Sequence, residues 1–186
     1  MSDYYEKRDT ELSGHKDLGL IHVYYGQGVG KTTRVMGLAF RAAGAGLKVH
    51  VVQFMKSGKS SEVDLLNQNP NITYRCPGKH PFIRANEPDE VHFNHAQEAL
   101  GYAWEAIELK ADVLICDEIL NTLIFKILKL EKVLELMDGC RGKVELAMTG
   151  SDAPPEIIDA ADYVTELVQR KHPYYSGTKA RKGIEF

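Results

Sequence analysis

The chain contains 186 residues with a formal net charge of −3, and 26% of them are charged and 44% hydrophobic. This length predicts one domain with a sizeable core, and the composition is typical of globular proteins. The small negative charge argues against nucleic acid as a partner. No apolar run approaches the ~20 residues of a membrane span, and the polar N-terminus lacks the apolar core of a secretory signal. The three cysteines form no Cys-x-x-Cys pair, which fits a reducing compartment, so we expect a cytoplasmic protein. Together with the charge and the lack of an apolar span, this predicts a protein that contacts neither membrane nor nucleic acid.

The first predicted elements alternate between strand and helix. Residues 19–25 are apolar and β-branched or aromatic, which favours a buried strand. The glycine-rich stretch 26–30 predicts a turn, residues 31–45 have apolar side chains at helical spacing, and 48–54 reads as a second short strand. A strand, a helix and a strand in this order form a βαβ unit, which predicts a parallel sheet.

The remaining elements continue this alternation. Helices are predicted over 61–68, 90–110, 130–137 and 154–161, and strands over 72–75, 112–116, 143–149 and 163–167. Residues 76–89 carry three prolines and a glycine, which predicts a long irregular loop of a kind that is often functional. His92 and His95 have the spacing of metal ligands, but no third ligand is apparent, so we expect a capping or solvated role for them.

The turn after the first strand ends like a phosphate-binding loop. The usual pattern is a glycine, four residues and then Gly-Lys-Ser/Thr. Counting back from Gly30 places the first glycine at position 25, where this chain has Tyr25, and the glycine follows one residue later. Nucleotide-binding residues are predicted along the whole stretch: Gly26, Gln27, Gly28, Val29, Gly30, Lys31, Thr32 and Thr33.

A loop of this composition suits a triphosphate for physical reasons. Small residues let backbone N–H groups and the positive end of the following helix face the phosphates. Lys31 adds a mobile positive charge, and the Thr32 hydroxyl can bind Mg²⁺. The alternative is a glycine-rich turn with a surface lysine, because a short Gly-Lys-Thr match is weak by itself.

A second nucleotide-binding element is predicted at residues 113–118. This apolar strand ends in Asp117 and Glu118, as expected for carboxylates that hold a metal ion beside the phosphates. Taken alone, the pattern also fits a buried strand followed by a solvated acidic helix start. The two elements in this order predict nucleotide binding, although no residue can be assigned as the base or water-positioning group of a phosphotransferase.

Several strings resemble those of the P-loop ATP:corrinoid adenosyltransferases. They are YYGQGVGKTT at 24–33, VQFMK at 52–56, TGSDAPPEIIDAADYVTEL at 149–167 and the ending at 171–186. The resemblance covers residues 19–186. It implies an α/β domain with the RecA-like P-loop NTPase fold, in which helices flank a mostly parallel central sheet. It also implies that residues 1–18 form a flexible segment that orders over the active site when ligands bind.

The reaction that this resemblance implies differs from phosphoryl transfer. In that family the Co(I) centre of a reduced corrinoid attacks C5′ of ATP, which gives an adenosylcorrinoid and tripolyphosphate. Because Co(I) is the nucleophile, the enzyme's task is positioning and charge neutralisation. By resemblance, Lys31 and the loop N–H groups stabilise the triphosphate, while Thr32 and Glu118 hold Mg²⁺ with Asp117 nearby.

Two further residues and three departures follow from the same resemblance. Arg41 is either another nucleotide contact or a solvated helix charge. Phe82, in the irregular loop, either displaces the lower axial ligand of cobalt or anchors the loop on the core. Val29 and Ser151 stand where many members have lysine and arginine, and Gln27 stands where they have Asp or Asn.

The resemblance also implies a homodimer, an electron-donor reductase as partner, and a role in cobalamin biosynthesis or salvage. Two alternatives remain open, namely an ordinary P-loop phosphotransferase and a nucleotide-binding regulator without turnover. The products of an incubation with MgATP, cobalamin and a strong reductant distinguish all three.

Overall fold

The computed structural model describes residues 17–78, 83 and 87–186. Within these residues, six strands form one parallel sheet in the order β3-β2-β4-β5-β1-β6. The strands are β1 (Ile21–Tyr25), β2 (Val49–Gln53), β3 (Ile72–Arg75), β4 (Val113–Asp117), β5 (Glu145–Gly150) and β6 (Tyr163–Glu166). The helices are α1 (Lys31–Gly44), α2 (Glu62–Gln68), α3 (Glu90–Glu108), α4 (Asn121–Ile124), α5 (Leu130–Cys140) and α6 (Pro155–Ala160), and a 3₁₀ turn follows at Pro173–Ser176.

Helices cover both faces of the sheet. Neighbouring strand residues point to opposite sides, so a strand with consecutive apolar residues has to be covered on both. In β4, Ile115 packs with Val35 and Ala39 of α1. Leu114 faces the other side, in the cluster that holds apolar residues of α3 and α5. A strand that is buried on both faces needs a continuous apolar run, which is why β4 has no polar residue before its last position.

The carboxyl ends of the parallel strands meet at one edge of the sheet. Gln53 at the end of β2 lies beside Asp117 at the end of β4. Tyr25 at the end of β1 lies beside Gly150 at the end of β5. In open parallel sheets ligands bind outside these ends, so the phosphate loop after β1 and the acidic residues of β4 share one site.

The predicted RecA-like P-loop α/β fold is confirmed, and all described strands are parallel. Several boundaries differ from the prediction, and among them Asp117 belongs to β4, α5 continues to Cys140, and β5 begins at Glu145. The four-residue helix α4 was not predicted, because it is too short to have an apolar period. His92 has the predicted capping role, since Asp89 N–H donates to its Nδ1 at the start of α3.

Two predictions fall on residues outside the described ranges, namely the flexible segment 1–18, of which the structure describes only residues 17 and 18, and Phe82. Among the helices that are described, none combines the length and apolar character that a bilayer crossing needs.

Candidate active site

The phosphate loop ends at Gly30, which is the N-terminal cap of α1. Gly30 has a φ of 97°, in the left-handed region that glycine adopts without strain, and no side chain caps the helix. The first N–H groups of a helix have no partner within it. The start of α1 at Lys31–Thr33 is therefore an anion-binding position.

The other half of the loop is attached to the end of β6. Gly28 N–H donates to the carbonyl of Leu167 at 2.7 Å, and Leu167 N–H donates to Tyr25 at 2.7 Å. A Cβ on Gly28 would lie 2.7 Å from the carbonyl carbon of Leu167. The glycine is therefore required because two backbone segments approach each other closely.

Replacing Gly28 with alanine is expected to displace the loop and weaken ATP binding at least about tenfold, because the clash is with backbone that cannot rotate away. Isothermal titration calorimetry with MgATP measures this. Gly101→Ala is the matched control, since nothing lies within 4 Å of a Cβ at this exposed position of α3. The control should bind ATP normally, and equal affinities for the two variants would contradict the prediction.

Lys31 folds back over the loop that it follows. Its Nζ donates to the carbonyl oxygens of Gly26 and Gly28 at 2.6 and 2.8 Å. Burial lowers the pKa of the Lys31 ammonium, and the nearby carboxylates of Glu118 and Asp117 offset only part of this shift. The positive charge therefore lies at the mouth of the loop, held by neutral oxygens that a phosphate can replace.

Thr32 joins the loop to the acidic end of β4. Its Oγ1 donates to the Asp117 carboxylate, with distances of 3.1 and 3.2 Å to the two oxygens. Asp117 is fully buried, and its carboxylate also accepts hydrogen bonds from Thr149 Oγ1 at 2.8 Å and Gln53 Nε2 at 3.0 Å. Asp117 thus fixes the Thr32 hydroxyl at the start of α1.

Lys56 lies at the centre of this cluster, although the sequence analysis did not select it. Its Nζ is 2.8 Å from Thr32 Oγ1, 2.9 Å from Asp117 Oδ2 and 3.6 Å from Glu118 Oε1. Burial lowers the pKa of the Lys56 ammonium, but the two carboxylates outweigh this effect and raise it overall. The available signal was its position just after β2, the strand that pairs with β4.

Glu118 has an unusual backbone and a perturbed carboxyl group. Its φ of 65° is uncommon for a residue with a side chain, and strained backbone of this kind clusters at active sites. Its N–H donates to Thr149 Oγ1 at 2.7 Å, which supports this conformation. Burial raises the pKa of the Glu118 carboxyl, Lys56 offsets part of the shift, and the Asp117 charge adds to it.

A raised pKa means that the ionised Glu118 destabilises the free protein at neutral pH. Unfolding returns the pKa to its ordinary value, so this penalty is present above the folded pKa and disappears below about pH 4.3. Glu118→Gln resembles the protonated side chain, and we expect it to melt at a higher temperature than the wild type at pH 7, with chelator and no nucleotide. The difference in melting temperature between variant and wild type should shrink as the pH falls. A lower melting temperature for the variant than for the wild type at pH 7 would contradict the prediction.

A cavity of about 980 Å³ opens beside this cluster. Its walls include Thr32, Thr33, Lys56 and Glu118, apolar residues of α1, and the segment that links β2 to α2. The last four residues of the chain, 183–186, close one side, and Ser61 Oγ donates to the carbonyl of Phe186 at 3.0 Å. The volume lies in the range of pockets for small molecules and cofactors.

The structure separates some of the other predicted residues from this cluster. Arg41 lies in the last turn of α1, ten residues after Lys31 and so about 15 Å along the helix. Val29 is 69% exposed. Gln27 Nε2 donates to the carbonyl of Ser151 at 3.0 Å, which links the loop to the end of β5.

The oxygen groups at this site fit Mg²⁺, which prefers hydroxyl, carboxylate and phosphate ligands. Thr32, Asp117 and Glu118 all lie within 4 Å of one ammonium nitrogen, so their oxygens already surround a cation. Among the described residues no group of three or more His, Cys, Asp and Glu side chains forms a complete metal site. A Mg²⁺ ion held by these residues would take part of its coordination from phosphate oxygens and water.

Comparison with known proteins identifies the family. Residues 17–186 match the family model described as ATP:corrinoid adenosyltransferase BtuR/CobO/CobP. The chain belongs to this family. A corrinoid adenosyltransferase of Pseudomonas aeruginosa is 32% identical over 96% of this chain and 89% of its own length. The corresponding proteins of Salmonella typhimurium and Escherichia coli K12 are each 30% identical, over 92% and 97% of this chain and 87% and 93% of their own lengths.

Membership in the corrinoid adenosyltransferases makes the protein a transferase. The family uses ATP and a corrinoid as substrates, and its reaction is the ATP-dependent adenosylation of corrinoids in cobalamin biosynthesis or salvage. A phosphotransferase was an open alternative for the loop with the late glycine. The family shows that this loop belongs to an adenosyltransferase.

Proposed function

We propose that the chain transfers the 5′-deoxyadenosyl group of ATP to the Co(I) centre of a reduced corrinoid at the site beside Lys31, Thr32 and Glu118. A Co–C5′ bond forms, the C5′–O bond to the triphosphate breaks, and tripolyphosphate leaves with the bonding electron pair. The observation that carries the proposal is the Thr32 hydroxyl 3.1 Å from Asp117 at the wall of the 980 Å³ cavity, in a chain of this family.

Lys31 and the N-terminus of α1 stabilise the leaving group in this proposal. The bond that breaks places additional negative charge on the triphosphate, and preorganised donors aimed at developing charge lower the barrier. Lys31 Nζ donates hydrogen bonds to two neutral loop carbonyls, at 2.6 and 2.8 Å. It can exchange these carbonyls for phosphate oxygens by a short movement.

Thr32 and Glu118 hold Mg²⁺ in the same proposal, and Asp117 completes the site by orienting Thr32. When bound, Mg²⁺ neutralises phosphate charge as a Lewis acid. Thr32 and Glu118 both line the cavity, whose volume is available for the other parts of the substrates. The reaction needs no general base, because the nucleophile is a metal centre and carries no proton to be removed.

The test is an incubation with MgATP, cobalamin and a strong chemical reductant. Appearance of the adenosylcobalamin spectrum together with one tripolyphosphate per corrinoid supports the proposal. ADP or orthophosphate as the phosphate product would replace it with a phosphotransferase. Binding of ATP without any product would replace it with a nucleotide-gated regulator.

We also propose a homodimer in the cytoplasm that receives electrons from a reductase. A reductase follows from the chemistry, because Co(I) has to be generated by reduction. The cytoplasm is supported by Cys76, Cys116 and Cys140, all of which are free thiols. The dimer is supported by the edge strand β6, all four residues of which are exposed. Light scattering after gel filtration tests the dimer, and a mass of one chain would refute it.

A further inference from the structure

We propose that Lys56 is a displaceable cation, whose ammonium holds the metal-site oxygens in the free protein and moves onto the phosphates when MgATP binds. This inference rests on the proposed function for the identity of the metal and the triphosphate. The geometry around Lys56 Nζ carries the rest.

The Lys56 ammonium occupies the place where a metal ion is expected. It lies 2.8 Å from Thr32 Oγ1, 2.9 Å from Asp117 Oδ2 and 3.6 Å from Glu118 Oε1. A Mg²⁺ ion sits about 2.0–2.1 Å from its oxygen ligands. Two cations cannot share the same oxygens at these distances, because each would lie within a few ångström of the other. Metal binding at Thr32 and Glu118 therefore requires Lys56 to leave.

The cavity supplies the position to which Lys56 can move. The Lys56 side chain is 22% exposed and, like those of Thr32 and Thr33, it lines the cavity wall. Four rotatable bonds let a lysine ammonium move several ångström without any backbone change. When MgATP arrives, the metal takes the carboxylates, and the phosphates bring new negative charge to the start of α1. Lysine is well suited to follow that charge, since its ammonium binds phosphate as a point charge.

The composition of the loop explains why a second ammonium is needed there. Within residues 24–33 Lys31 is the only lysine or arginine, and Val29 is apolar and 69% exposed. Lys56 reaches the same site from the end of β2, so the pair supplies two positive charges to one triphosphate. In the free protein the same ammonium neutralises part of the charge of Asp117 and Glu118.

This arrangement predicts two opposite effects of removing the ammonium. In Lys56→Met without nucleotide, Mn²⁺ should bind roughly tenfold or more tightly than in the wild type, because its competitor is gone. Tripolyphosphate without metal should bind roughly tenfold or more weakly, because one of its cations is gone. Electron paramagnetic resonance measures the Mn²⁺ affinity, and calorimetry measures that of tripolyphosphate. If Lys56 had a purely structural role, its replacement would weaken the binding of both Mn²⁺ and tripolyphosphate.

Lys48→Met is the matched control, because Lys48 is an exposed lysine that precedes β2 at its other end. It should change neither affinity. Lys56→Gln, which keeps a hydrogen-bond donor without the charge, repeats the test if the methionine variant does not fold, and the same opposite shifts are expected. Unchanged or weaker Mn²⁺ binding, or unchanged tripolyphosphate binding, overturns the inference.

The same measurements separate this inference from the proposed function. If the wild type forms adenosylcobalamin but the Lys56 variants do not show the opposite shifts, the inference about Lys56 fails alone. If the wild type binds neither Mn²⁺ with ATP nor tripolyphosphate, the proposed function and the inference fail together.

Discussion

Replacing Lys31 with methionine is expected to lower the rate of adenosylcobalamin formation about 10²- to 10³-fold, the usual cost of losing one preorganised donor to developing charge. Methionine keeps most of the apolar stem and removes only the ammonium. The two contacts that are lost are hydrogen bonds to the carbonyls of Gly26 and Gly28 at a partly exposed site. The melting temperature should therefore change little, and the effect should appear in catalysis.

The measurement uses chemically generated cob(I)alamin, so that the reduction of cobalt does not limit the rate. The affinity for tripolyphosphate should fall together with kcat/KM, because Lys31 is proposed to act on the leaving group. The affinity for adenosine should not change. Lys48→Met again serves as the exposed-lysine control and should keep the wild-type rate. A Lys31→Met enzyme that keeps more than a fifth of the activity would remove Lys31 from the mechanism.

The sequence located the phosphate loop and the acidic strand because each depends on local chemistry. The glycines between residues 26 and 30 are needed for the backbone conformation of the loop, and the apolar run before Asp117 is needed because the strand is buried on both faces. Each pattern is therefore visible within one stretch of the chain. The parallel order followed from the alternation of strand and helix. The types and sequence of the elements and the parallel sheet could therefore be predicted, but the order of the strands in the sheet could not.

The partners of Asp117 could not be predicted, because they come from neighbouring strands. Gln53, Thr149 and Lys56 lie at the ends of β2 and β5 or just beyond, and nothing in their own surroundings in the sequence marks them as polar core residues. They meet only because the register places Gln53 beside Asp117. Contacts of this kind require the strand order, which a single sequence does not contain.

The close approach of Gly28 to Leu167 could not be predicted either, because it also depends on the strand order. The glycine was predicted to face phosphate, whereas its N–H donates to the carbonyl at the end of β6. Gly28 therefore serves the attachment of the loop as much as the ligand. The displaced first glycine has a similar explanation, since a Cβ at position 26 would lie 2.5 Å from the Leu167 oxygen.

Replacing Asp117 with asparagine is expected to destabilise the protein by about 3 kcal/mol, the lower end of the cost of breaking a buried ion pair. The Asp117 carboxylate is fully buried and accepts hydrogen bonds from Thr32, Gln53 and Thr149. It also faces the Lys56 ammonium at 2.9 Å. An asparagine side chain presents an NH₂ group to one of these donors and removes the carboxylate that lies closest to the Lys56 ammonium.

Thermal melting without nucleotide measures this effect, which corresponds to a fall of roughly 6–12 °C for a chain of this size. Asp138→Asn is the control, because Asp138 is an exposed residue of α5 and should change the free energy of unfolding by less than about 0.5 kcal/mol. A fall of less than 2 °C for Asp117→Asn would contradict the prediction.

The comparison with Glu118→Gln makes this prediction more decisive, because the two carboxylates are adjacent in the chain and their variants should shift the melting temperature in opposite directions. Asp117 has donors for its oxygens within the fold, so removing its charge destabilises the free protein. Glu118 is only half-buried, but its burial raises the pKa of its carboxyl, so removing its charge is expected to stabilise the free protein. A residue that lowers stability while it lines the cavity is typical of a group kept for its ligand. Opposite shifts would therefore separate the carboxylate that builds the site from the one proposed to bind the metal.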